Sequence, residues 1–422
     1  MSNIKGRKCK AVLRKLIPWI LLINTVLIFY CLKTPRHKSR GIQEDSCPLN
    51  MAKSLKNASV FIFPSSTTEN ECSPKVNFMF MKTHKTASST ILNILFRFGE
   101  KHKLKFAFPD GRNDFFYPSP FQCSQVKDYQ PGECFNIVCN HMRFDHQEVS
   151  KLLPTDALYV TIVRDPADLF ESSFHYYHRA IPLTWSIKGE NKLVAFLNNP
   201  QAYYDPIAFN SFYLKNLLFF DFGFDNNLEA DDLRVMRGIR YLAKTFHLVL
   251  IAEYFEESLI LLKDLLCWTT EDILYFKLNV RRSSSVSQLD PETRSKALQW
   301  NGADWKLYQH FNATFWERVD AYGTERMKQE VNQLRKRNAE MKAICIEGGG
   351  AVEAQKLQSR RFQPWQPVGE KSILGYNMKK EIDPKFRKIC EKMLTPELQY
   401  LSDLGVNLWL TRLYGWLKDT FY

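Results

Sequence analysis

The stretch Lys75-Val76-Asn77-Phe78-Met79-Phe80-Met81-Lys82-Thr83-His84-Lys85-Thr86-Ala87-Ser88-Ser89-Thr90 joins an apolar run to a basic, hydroxyl-rich segment. The Val- and Phe-rich run predicts a buried strand, and the apolar spacing from Ile91 to Phe98 predicts an amphipathic helix. The segment between them precedes a helix N-terminus, whose free N–H groups and positive dipole end attract anions. We therefore interpret the stretch as a strand, an anion-binding loop and a helix, with a phosphate or a phosphosulfate as the ligand.

Side chains of this loop add charge and hydrogen-bond donors to the predicted anion site: Lys82, Lys85, Thr86, Ser88, Ser89 and Thr90. Ser and Thr before a helix are also common N-caps, so the loop alone fits an ordinary helix start as well. A nucleoside triphosphatase loop of the form Gly-x4-Gly-Lys-Ser/Thr is excluded, because no Gly lies between Lys75 and Phe98.

The composition is that of a globular protein with one large domain or two of medium size. The chain has 422 residues, of which 45% are hydrophobic and 24% charged, and its formal net charge is +13. A basic balance predicts acidic partners, such as nucleic acid, anionic lipid or a polyanionic cosubstrate. No zinc-finger spacing or RNA-binding aromatic signature is present, so we predict no nucleic-acid partner.

The N-terminus predicts a membrane anchor. Six Lys and Arg side chains precede the apolar run of residues 16–32, whose length is near the lower limit for spanning a bilayer. A cleaved signal peptide is the alternative, but no small-x-small cleavage site follows Leu32. We predict a cytoplasmic tail (residues 1–15), a signal-anchor (16–32), a lumenal stem (33–73) and a lumenal domain (74–422).

Several features fit a lumenal location. Sequons for N-glycosylation begin at Asn57 and Asn312. Eight cysteines follow the predicted span, and some of them should pair in an oxidising compartment. No Cys-x2-Cys pair or other metal-ligand cluster occurs, so we predict no bound metal.

Two further apolar runs predict strands of a parallel sheet. Phe135–Cys139 would carry His141 just beyond its C-terminal end, and Ala157–Val163 is a β-branched run typical of a strand buried on both faces. Ligands of open α/β sheets bind beyond the carboxyl ends of the strands. His141 is therefore placed where a general base would stand, although a lone His is more often structural.

A second anion-binding element follows the third strand. Asp165 should cap a helix that begins at Pro166, and Arg164 and Ser172 are eight residues apart, so that an arginine and a helix hydroxyl can clasp one phosphate. The alternative is that Arg164 pairs with a nearby carboxylate. The same helix carries His175 and Tyr176, which we assign to the substrate.

A polar-aromatic loop, residues 106–117, includes Asp110, Arg112 and Asn113. Aromatic rings beside such polar groups are typical of a sugar site, because ring faces stack on the sugar while the polar groups bind its hydroxyls. An ordinary surface turn at Asp110-Gly111 is the alternative.

These segments together carry a resemblance to a known family. The residues 82–90 (KTHKTASST), 108–114 (FPDGRND), 140–144 (NHMRF) and 164–166 (RDP) resemble the galactose-3-O-sulfotransferase family. The similarity reaches the tail at residues 364–367 (PWQP) and 372–377 (SILGYN). The resemblance implies an α/β fold with a central parallel sheet flanked by helices, a P-loop-like sulfotransferase fold, and 3′-phosphoadenosine 5′-phosphosulfate as sulfate donor.

The resemblance also implies roles for individual residues. The loop from Thr83 to Thr90, with Ala87 inside it, would hold the 5′-phosphosulfate, while Arg164 and Ser172 would hold the 3′-phosphate. Lys85 matches the catalytic lysine, which would stabilise charge on the bridging oxygen. The acceptor would be the 3-hydroxyl of galactose in a galactolipid, with galactosylceramide favoured. We assign the general base to His141, with His84 as its competitor.

Three later segments remain, two of which have two interpretations. Arg281 and Arg282 lie in a loop that resembles, more weakly, the one that covers the nucleotide in sulfotransferases; a solvated basic loop is the alternative. Residues 327–343 predict a charged, solvated outer helix. The segment Leu401–Tyr422 is rich in Leu, Trp and Tyr, and either packs on the core or lies on the lumenal leaflet.

Other functions compete with this interpretation. A kinase would need a Gly-rich loop and a magnesium-binding Asp motif, which the chain lacks. A galactose-binding lectin would explain the polar-aromatic loop but would leave Lys85, Arg164 and Ser172 without a role. The resemblance further predicts a single-pass type II protein of the Golgi membrane. It leaves open glycoprotein acceptors, disulfide pairing and the oligomeric state, with a homodimer as one arrangement.

Overall fold

Five parallel strands form the central sheet of the structure, a computed structural model that describes residues 72–421. The strands are β1 (Phe78–Met81), β2 (Phe106–Ala107), β3 (Ile137–Val138), β4 (Leu158–Val163) and β5 (Leu248–Ile251). Their order across the sheet is β2-β3-β1-β4-β5, and every neighbouring pair is parallel. The strand of the predicted anion site, β1, is therefore the middle one.

Helices cover the sheet and extend beyond it. In chain order they are α1 (Ser88–Lys101), α2 (His146–Ser150), α3 (Pro166–Tyr177), α4 (Lys192–Asn198), α5 (Leu217–Asp221), α6 (Leu233–Thr245), α7 (Phe255–Leu266), α8 (Pro291–Trp300), α9 (Gly302–Tyr322), α10 (Thr324–Cys345), α11 (Pro384–Leu394), α12 (Glu397–Asp403) and α13 (Trp409–Phe421). The predicted α/β architecture with a parallel sheet is confirmed.

The strand and helix on either side of the first loop are both deeply buried. All four residues of β1 are buried, and α1 is buried from Thr90 to Gly99 on nearly every face. The predicted amphipathic helix is thus a core helix, because α11 and α12 cover the side that a surface helix would expose. The loop between β1 and α1 is held rigidly from both ends.

Two predicted elements differ from the observed ones. The strand predicted at Phe135–Cys139 is reduced to β3, because the N–H of Phe135 donates to Leu152 O at 2.8 Å instead of joining the ladder. The charged helix predicted at 327–343 is longer, spans α10 and is not solvated all round. One stripe of it, which includes Met327, Val331 and Leu334, is buried.

Disulfides tie distant segments together, as predicted for an oxidising compartment. Cys72 is bonded to Cys267, and Cys345 at the end of α10 is bonded to Cys390 in α11. The predicted cap at Asp165 is confirmed, since its carboxylate accepts the N–H of Ala167 at 2.9 Å and α3 begins at Pro166.

Some predictions concern residues that the structure does not describe. The tail, the signal-anchor, most of the stem and the sequon at Asn57 lie outside residues 72–421. Between Cys72 and Phe421, no helix combines the length and apolar character needed to cross a bilayer. Asn312 lies inside α9 with its amide oxygen buried, and its glycosylation stays a prediction.

Candidate active site

A large cavity of about 1570 Å³ opens beyond the carboxyl ends of the central strands. Its wall comes from the loop after β1, from α3, from the loop after α7 and from the C-terminal segment that ends in α13. Small-molecule sites usually measure roughly 300–1,000 Å³. The cavity therefore has room for more than one ligand, such as a nucleotide and a sugar.

The loop after β1 is shaped to hold an anion. Lys85 and Ala87 adopt left-handed backbone conformations, with φ of 58° and 63°. Ala87 is the N-cap of α1 and provides no side-chain cap, so the N–H groups of the first turn are left for another acceptor. Such a concave array of N–H groups at a helix N-terminus binds phosphate-like anions.

Most hydroxyl groups of this loop are used to build it. Thr86 and Ser88 both donate to Thr83 O, at 3.2 and 2.9 Å, and Thr83 donates to Ile162 O. Thr90 accepts the N–H of Leu278 at 3.0 Å. The sequence predicts these hydroxyls as ligand donors; in the structure Thr86 and Ser88 line the cavity, and their hydroxyls also hold the loop's shape.

Lys85 is a partly buried lysine of the cavity wall. Its Nζ lies 3.7 Å above the ring of Tyr176, as in a cation–π contact. Burial, reinforced by the nearby positive charges of Arg281 and Arg164, lowers the pKa of Lys85 to about 7. A bound anion would reverse this effect, so the site as built favours a negatively charged ligand.

Lys82 is engaged differently from Lys85. Its Nζ lies 2.6 Å from Oε1 of Glu397, the first residue of α12, and Ser89 donates to the same carboxylate at 2.9 Å. Both Lys82 and Glu397 line the cavity. Lys82 therefore anchors the loop to the C-terminal segment.

Two histidines stand side by side in the cavity wall. The rings of His84 and His141 stack with centroids 4.1 Å apart. His141 Nδ1 donates to Lys82 O at 3.0 Å, and burial, reinforced by the nearby positive charge of Lys82, moves the pKa of His141 well below its usual value. His84 Nδ1 instead lies 2.8 Å from a carboxylate oxygen of Asp221. Each histidine thus keeps Nε2 as its remaining acceptor.

The second predicted anion element also lies in the cavity wall. Arg164 and Ser172 both line it, and Arg164 donates to Lys85 O at 3.0 Å, which joins the two elements. Arg281 also lines the cavity and forms a buried ion pair with Glu171. Arg282 points away, toward Glu353 at 3.1 Å. The sequence predicts the same role for both arginines, but in the structure only Arg281 of the two lines the cavity.

The predicted substrate residues also fall into two groups, those that line the cavity and those that do not. Arg112, Asn113 and Tyr176 line the cavity, whereas Asp110 and His175 are not among its described lining residues. His175 Nε2 instead lies 3.2 Å from the Ser287 hydroxyl. Asn113 Oδ1 accepts the hydroxyl of Thr411 from α13 at 3.2 Å, so the polar-aromatic loop is braced by the C-terminal helix.

Sequence reasoning missed three acidic residues of the site: Asp221, Glu397 and Glu171. Asp221 is the only charged residue in the run 217–224, a signal that a buried partner exists. Glu171 and Glu397 gave no local signal, because their partners are far away in the sequence. Within residues 72–421, no three His, Cys, Asp or Glu side chains are arranged to hold a metal ion.

Comparisons with known proteins agree with this site. A family model described as galactose-3-O-sulfotransferase matches residues 2–408. Galactosylceramide sulfotransferase of Mus musculus is 51% identical over 419 residues, 99% of both chains, and that of Homo sapiens is 58% identical over 349 residues, 83% of this chain and 82% of that one. Galactose-3-O-sulfotransferase 2 of Sus scrofa is 42% identical over 349 residues, 81% of this chain and 87% of the other. The matched residues include the sheet and almost all of the cavity wall.

Proposed function

The chain belongs to the galactose-3-O-sulfotransferase family, and we propose that it transfers a sulfuryl group from 3′-phosphoadenosine 5′-phosphosulfate to the 3-hydroxyl of galactose in galactosylceramide. The observation that carries the proposal is Lys85, a partly buried lysine with a left-handed backbone, just before the N-terminus of α1, in the wall of a cavity large enough for donor and acceptor.

The donor suits the positive side of the cavity. Its 5′-phosphosulfate would lie on the N–H groups of the first turn of α1, and its 3′-phosphate near Arg164, Ser172 and Arg281. Arg164 already bonds the carbonyl of Lys85, so binding at one phosphate position is coupled to the geometry at the other. The donor supplies the sulfuryl group, and the protein supplies charge and position.

The transfer step needs a cation that stabilises the charge on the leaving group and a base that deprotonates the acceptor. As the acceptor oxygen bonds to sulfur, the bond from sulfur to the bridging oxygen breaks, and negative charge grows on the departing 5′-phosphate. Lys85 stabilises that charge. A cavity histidine takes the proton of the 3-hydroxyl, which is otherwise a poor nucleophile. The products are the galactose 3-sulfate and adenosine 3′,5′-bisphosphate.

The galactolipid acceptor is supported by relatives 51–58% identical to this chain, whose names specify galactosylceramide. The relatives named galactose-3-O-sulfotransferase 2 and 4 are 42% identical or less. Arg112 and Asn113 line the cavity and are the polar groups that we assign to the sugar hydroxyls.

We further propose that residues 16–32 anchor the chain in the Golgi membrane, with the catalytic domain in the lumen. The apolar run and its basic N-terminal flank support the anchor. The disulfides Cys72–Cys267 and Cys345–Cys390 support an oxidising compartment.

The proposed function is tested by binding and by turnover together. The full chain in detergent should be retained on an adenosine 3′,5′-bisphosphate resin and should transfer labelled sulfate from the donor to galactosylceramide. Lys85→Ala should abolish transfer. A chain that passes through the resin but binds galactose would instead be a lectin, and the proposal would be wrong.

A further inference from the structure

Exposed apolar side chains surround the mouth of the cavity. On α13, Trp409, Leu413 and Trp416 recur at helical spacing and are exposed, with Leu413 at 40% and Trp416 at 57%. The other side of the same helix lines the cavity through Leu410 and Thr411. The helix α13 therefore lines the cavity on one side, with both polar and apolar residues, and exposes an apolar stripe on the other side.

Contacts fix this helix in place at the mouth. The N–H groups of Leu410 and Thr411 both donate to Gly111 O, at 3.0 and 3.3 Å. Gly111 has a φ of +73°, and a Cβ there would lie 2.9 Å from Trp409 Nε1, so the turn accommodates the helix closely. The apolar stripe is thus held rigidly beside the predicted sugar-binding loop.

Other exposed apolar side chains lie on further segments next to the cavity. Ile207 and Phe209 are strongly exposed and lie within three residues of Asn210, which lines the cavity. Val280 is exposed and itself lines the cavity, on the loop after α7. We call the set Trp409, Leu413, Trp416, Ile207, Phe209 and Val280 the apolar rim.

We propose that the apolar rim docks on the lipid leaflet that holds the galactolipid acceptor, so that the galactose enters the cavity while the lipid chains stay in the membrane. The inference rests on the proposed function for the identity of the acceptor. The rim is continuous with the cavity that must receive the sugar, and its two tryptophans are the side chains that settle at a membrane interface. The galactose headgroup of a lipid that stays in the bilayer can reach Lys85 only if the cavity mouth lies against the leaflet.

The test uses the full chain in phosphatidylcholine vesicles, with a matched control. Leu413→Ser/Trp416→Ser removes part of the rim, and Leu233→Ser/Met236→Ser removes residues of similar exposure, 70% and 37%, from α6, no described residue of which lines the cavity. The acceptors are galactosylceramide in the vesicles and a soluble short-chain alkyl galactoside. The rim variant should lose about tenfold or more in kcat/KM on vesicle galactosylceramide and keep its kcat/KM on the soluble acceptor.

Each outcome decides the proposal. The control variant should have the parent's kcat/KM on both acceptors. The docking surface is overturned if the rim variant also has the parent's kcat/KM on vesicles. It is equally overturned if the rim variant loses the same factor on both acceptors. If the parent transfers to neither acceptor, the proposed function fails instead. The rim is then judged without turnover, by quenching of tryptophan fluorescence with doxyl-labelled lipid: Trp409→Phe/Trp416→Phe should lose quenching, and unchanged quenching would overturn the rim.

A second, independent observation concerns the histidines. The carboxylate of Asp221 is fully buried at the end of α5 and accepts three hydrogen bonds, each 2.8 Å long. The donors are the main-chain N–H of His84, the Nδ1–H of His84 and the hydroxyl of Tyr117. Because a carboxylate accepts but does not donate, this arrangement fixes the proton of neutral His84 on Nδ1 and leaves Nε2 bare in the cavity wall.

The geometry points to His84 as the general base and to Asp221 as the residue that positions it. In the transfer step the proton of the galactose 3-hydroxyl moves to His84 Nε2, the freed oxygen bonds to sulfur, and the bridging oxygen leaves with its electron pair. The imidazolium that forms is stabilised by Asp221. The position of His141 at a strand end predicts that residue as the base, but His141 is backed by the carbonyl of Lys82 and forms no ion pair with a carboxylate among residues 72–421.

Other titratable groups surround this pair and enter its pH dependence. They are Tyr117, Tyr177, Tyr213 and His141, whose rings lie 4.1–6.1 Å from that of His84, together with Lys82 and Lys85 of the loop, Asp114, and Asp304 of α9. Asp221 is the acid that contacts His84 directly. Its removal should therefore have an effect on His84 that the others do not share.

The test is Asp221→Asn, compared with Asp304→Asn. Asp304 is a second buried acid, which accepts the N–H groups of Leu218 and Phe219 in the same helix, α5. Asp221→Asn should lower kcat about a hundredfold with little change in KM for the donor. The acid limb of the pH profile of kcat/KM should move to lower pH, because the protonated imidazole loses the carboxylate that contacts it.

Asp304→Asn should leave the position of that acid limb unchanged, whatever its effect on stability. The assignment is overturned if Asp221→Asn leaves kcat intact, or if both variants lose activity in parallel with no shift of the pH profile. It is equally overturned if His84→Ala stays active while His141→Ala does not.

Discussion

The Nζ of Lys82 lies 2.6 Å from Oε1 of Glu397, although 315 residues separate the two in the sequence. Both side chains are almost fully buried, and the pair connects the loop after β1 with the start of α12. Charged groups that share a buried contact depend on each other, because either one alone would face a large desolvation cost. The ion pair therefore links the integrity of the anion site to the C-terminal third of the chain.

Neutralising Glu397 should destabilise the fold. Glu397→Gln keeps the shape of the side chain but leaves Lys82 buried without a counter-charge, so we expect the free energy of unfolding to fall by about 3 kcal/mol. The control is Glu353→Gln, which removes the partner of Arg282 from an exposed pair and should cost less than about 1 kcal/mol. Urea unfolding of both variants measures the difference, and equal losses would contradict the role given to the buried pair.

Binding of adenosine 3′,5′-bisphosphate should weaken as the pH rises from 7 to 9. In the free protein the pKa of Lys85 is about 7, so above that pH the side chain is largely neutral. A bound 5′-phosphate raises this pKa, so binding takes up a proton and the affinity falls by up to about tenfold per pH unit in this window.

Titration calorimetry in buffers of different ionisation enthalpy measures that proton uptake directly. Lys85→Arg is the matched control, because arginine stays charged throughout and should make binding nearly independent of pH over the same range. An affinity of the parent protein that does not change between pH 7 and 9 would rule out Lys85 as the group that meets the 5′-phosphate.

Arg281 and Arg282 should differ sharply in nucleotide binding. Arg281 lines the cavity, so Arg281→Ala should weaken adenosine 3′,5′-bisphosphate about tenfold or more. Arg282 faces Glu353, so Arg282→Ala should change affinity less than about twofold. Adenosine 5′-phosphate lacks the 3′-phosphate and should bind both variants as it binds the parent. If Arg281→Ala weakens both nucleotides equally, the effect is structural and the assignment to the 3′-phosphate is wrong.

Removing the bond between Cys345 and Cys390 should lower stability measurably. The two residues are 45 apart in the sequence, and a crosslink over such a loop is worth about 2–4 kcal/mol. The double variant Cys345→Ser/Cys390→Ser is compared with Cys123→Ser, which replaces a cysteine that is free in the structure. Denaturant unfolding under non-reducing conditions should separate the two, and matching midpoints would show that the crosslink does not stabilise the fold.

The elements that the sequence predicted well are those whose signal is local. The run at β4 and the Asp165-Pro166 helix start are encoded by adjacent residues, and both were found within one residue of their observed positions. The loop after β1 was recognised by its basic and hydroxyl residues. Its chemistry was only partly foreseen, because whether Thr86 and Ser88 face the ligand or the loop's own carbonyl depends on backbone angles that composition does not specify.

The residues that escaped prediction act through contacts between distant segments. Asp221 meets His84 across 137 residues, and Glu171 meets Arg281 across 110. No periodicity or local motif encodes such pairs, since they depend on how the helices fold back over the sheet. The two-sided character of α13 is similar: its apolar residues are evident in the sequence, but only the structure shows which of them face the cavity.

The most direct test of the account is sulfate transfer from 3′-phosphoadenosine 5′-phosphosulfate to galactosylceramide and to its 3-O-methyl derivative, by the parent chain and by Lys85→Ala. We predict that the parent sulfates galactosylceramide, that methylation of the 3-hydroxyl abolishes transfer, and that Lys85→Ala is inactive on both lipids. Transfer to the 3-O-methyl lipid would contradict the assigned hydroxyl, and full activity of Lys85→Ala would contradict the role of the loop after β1.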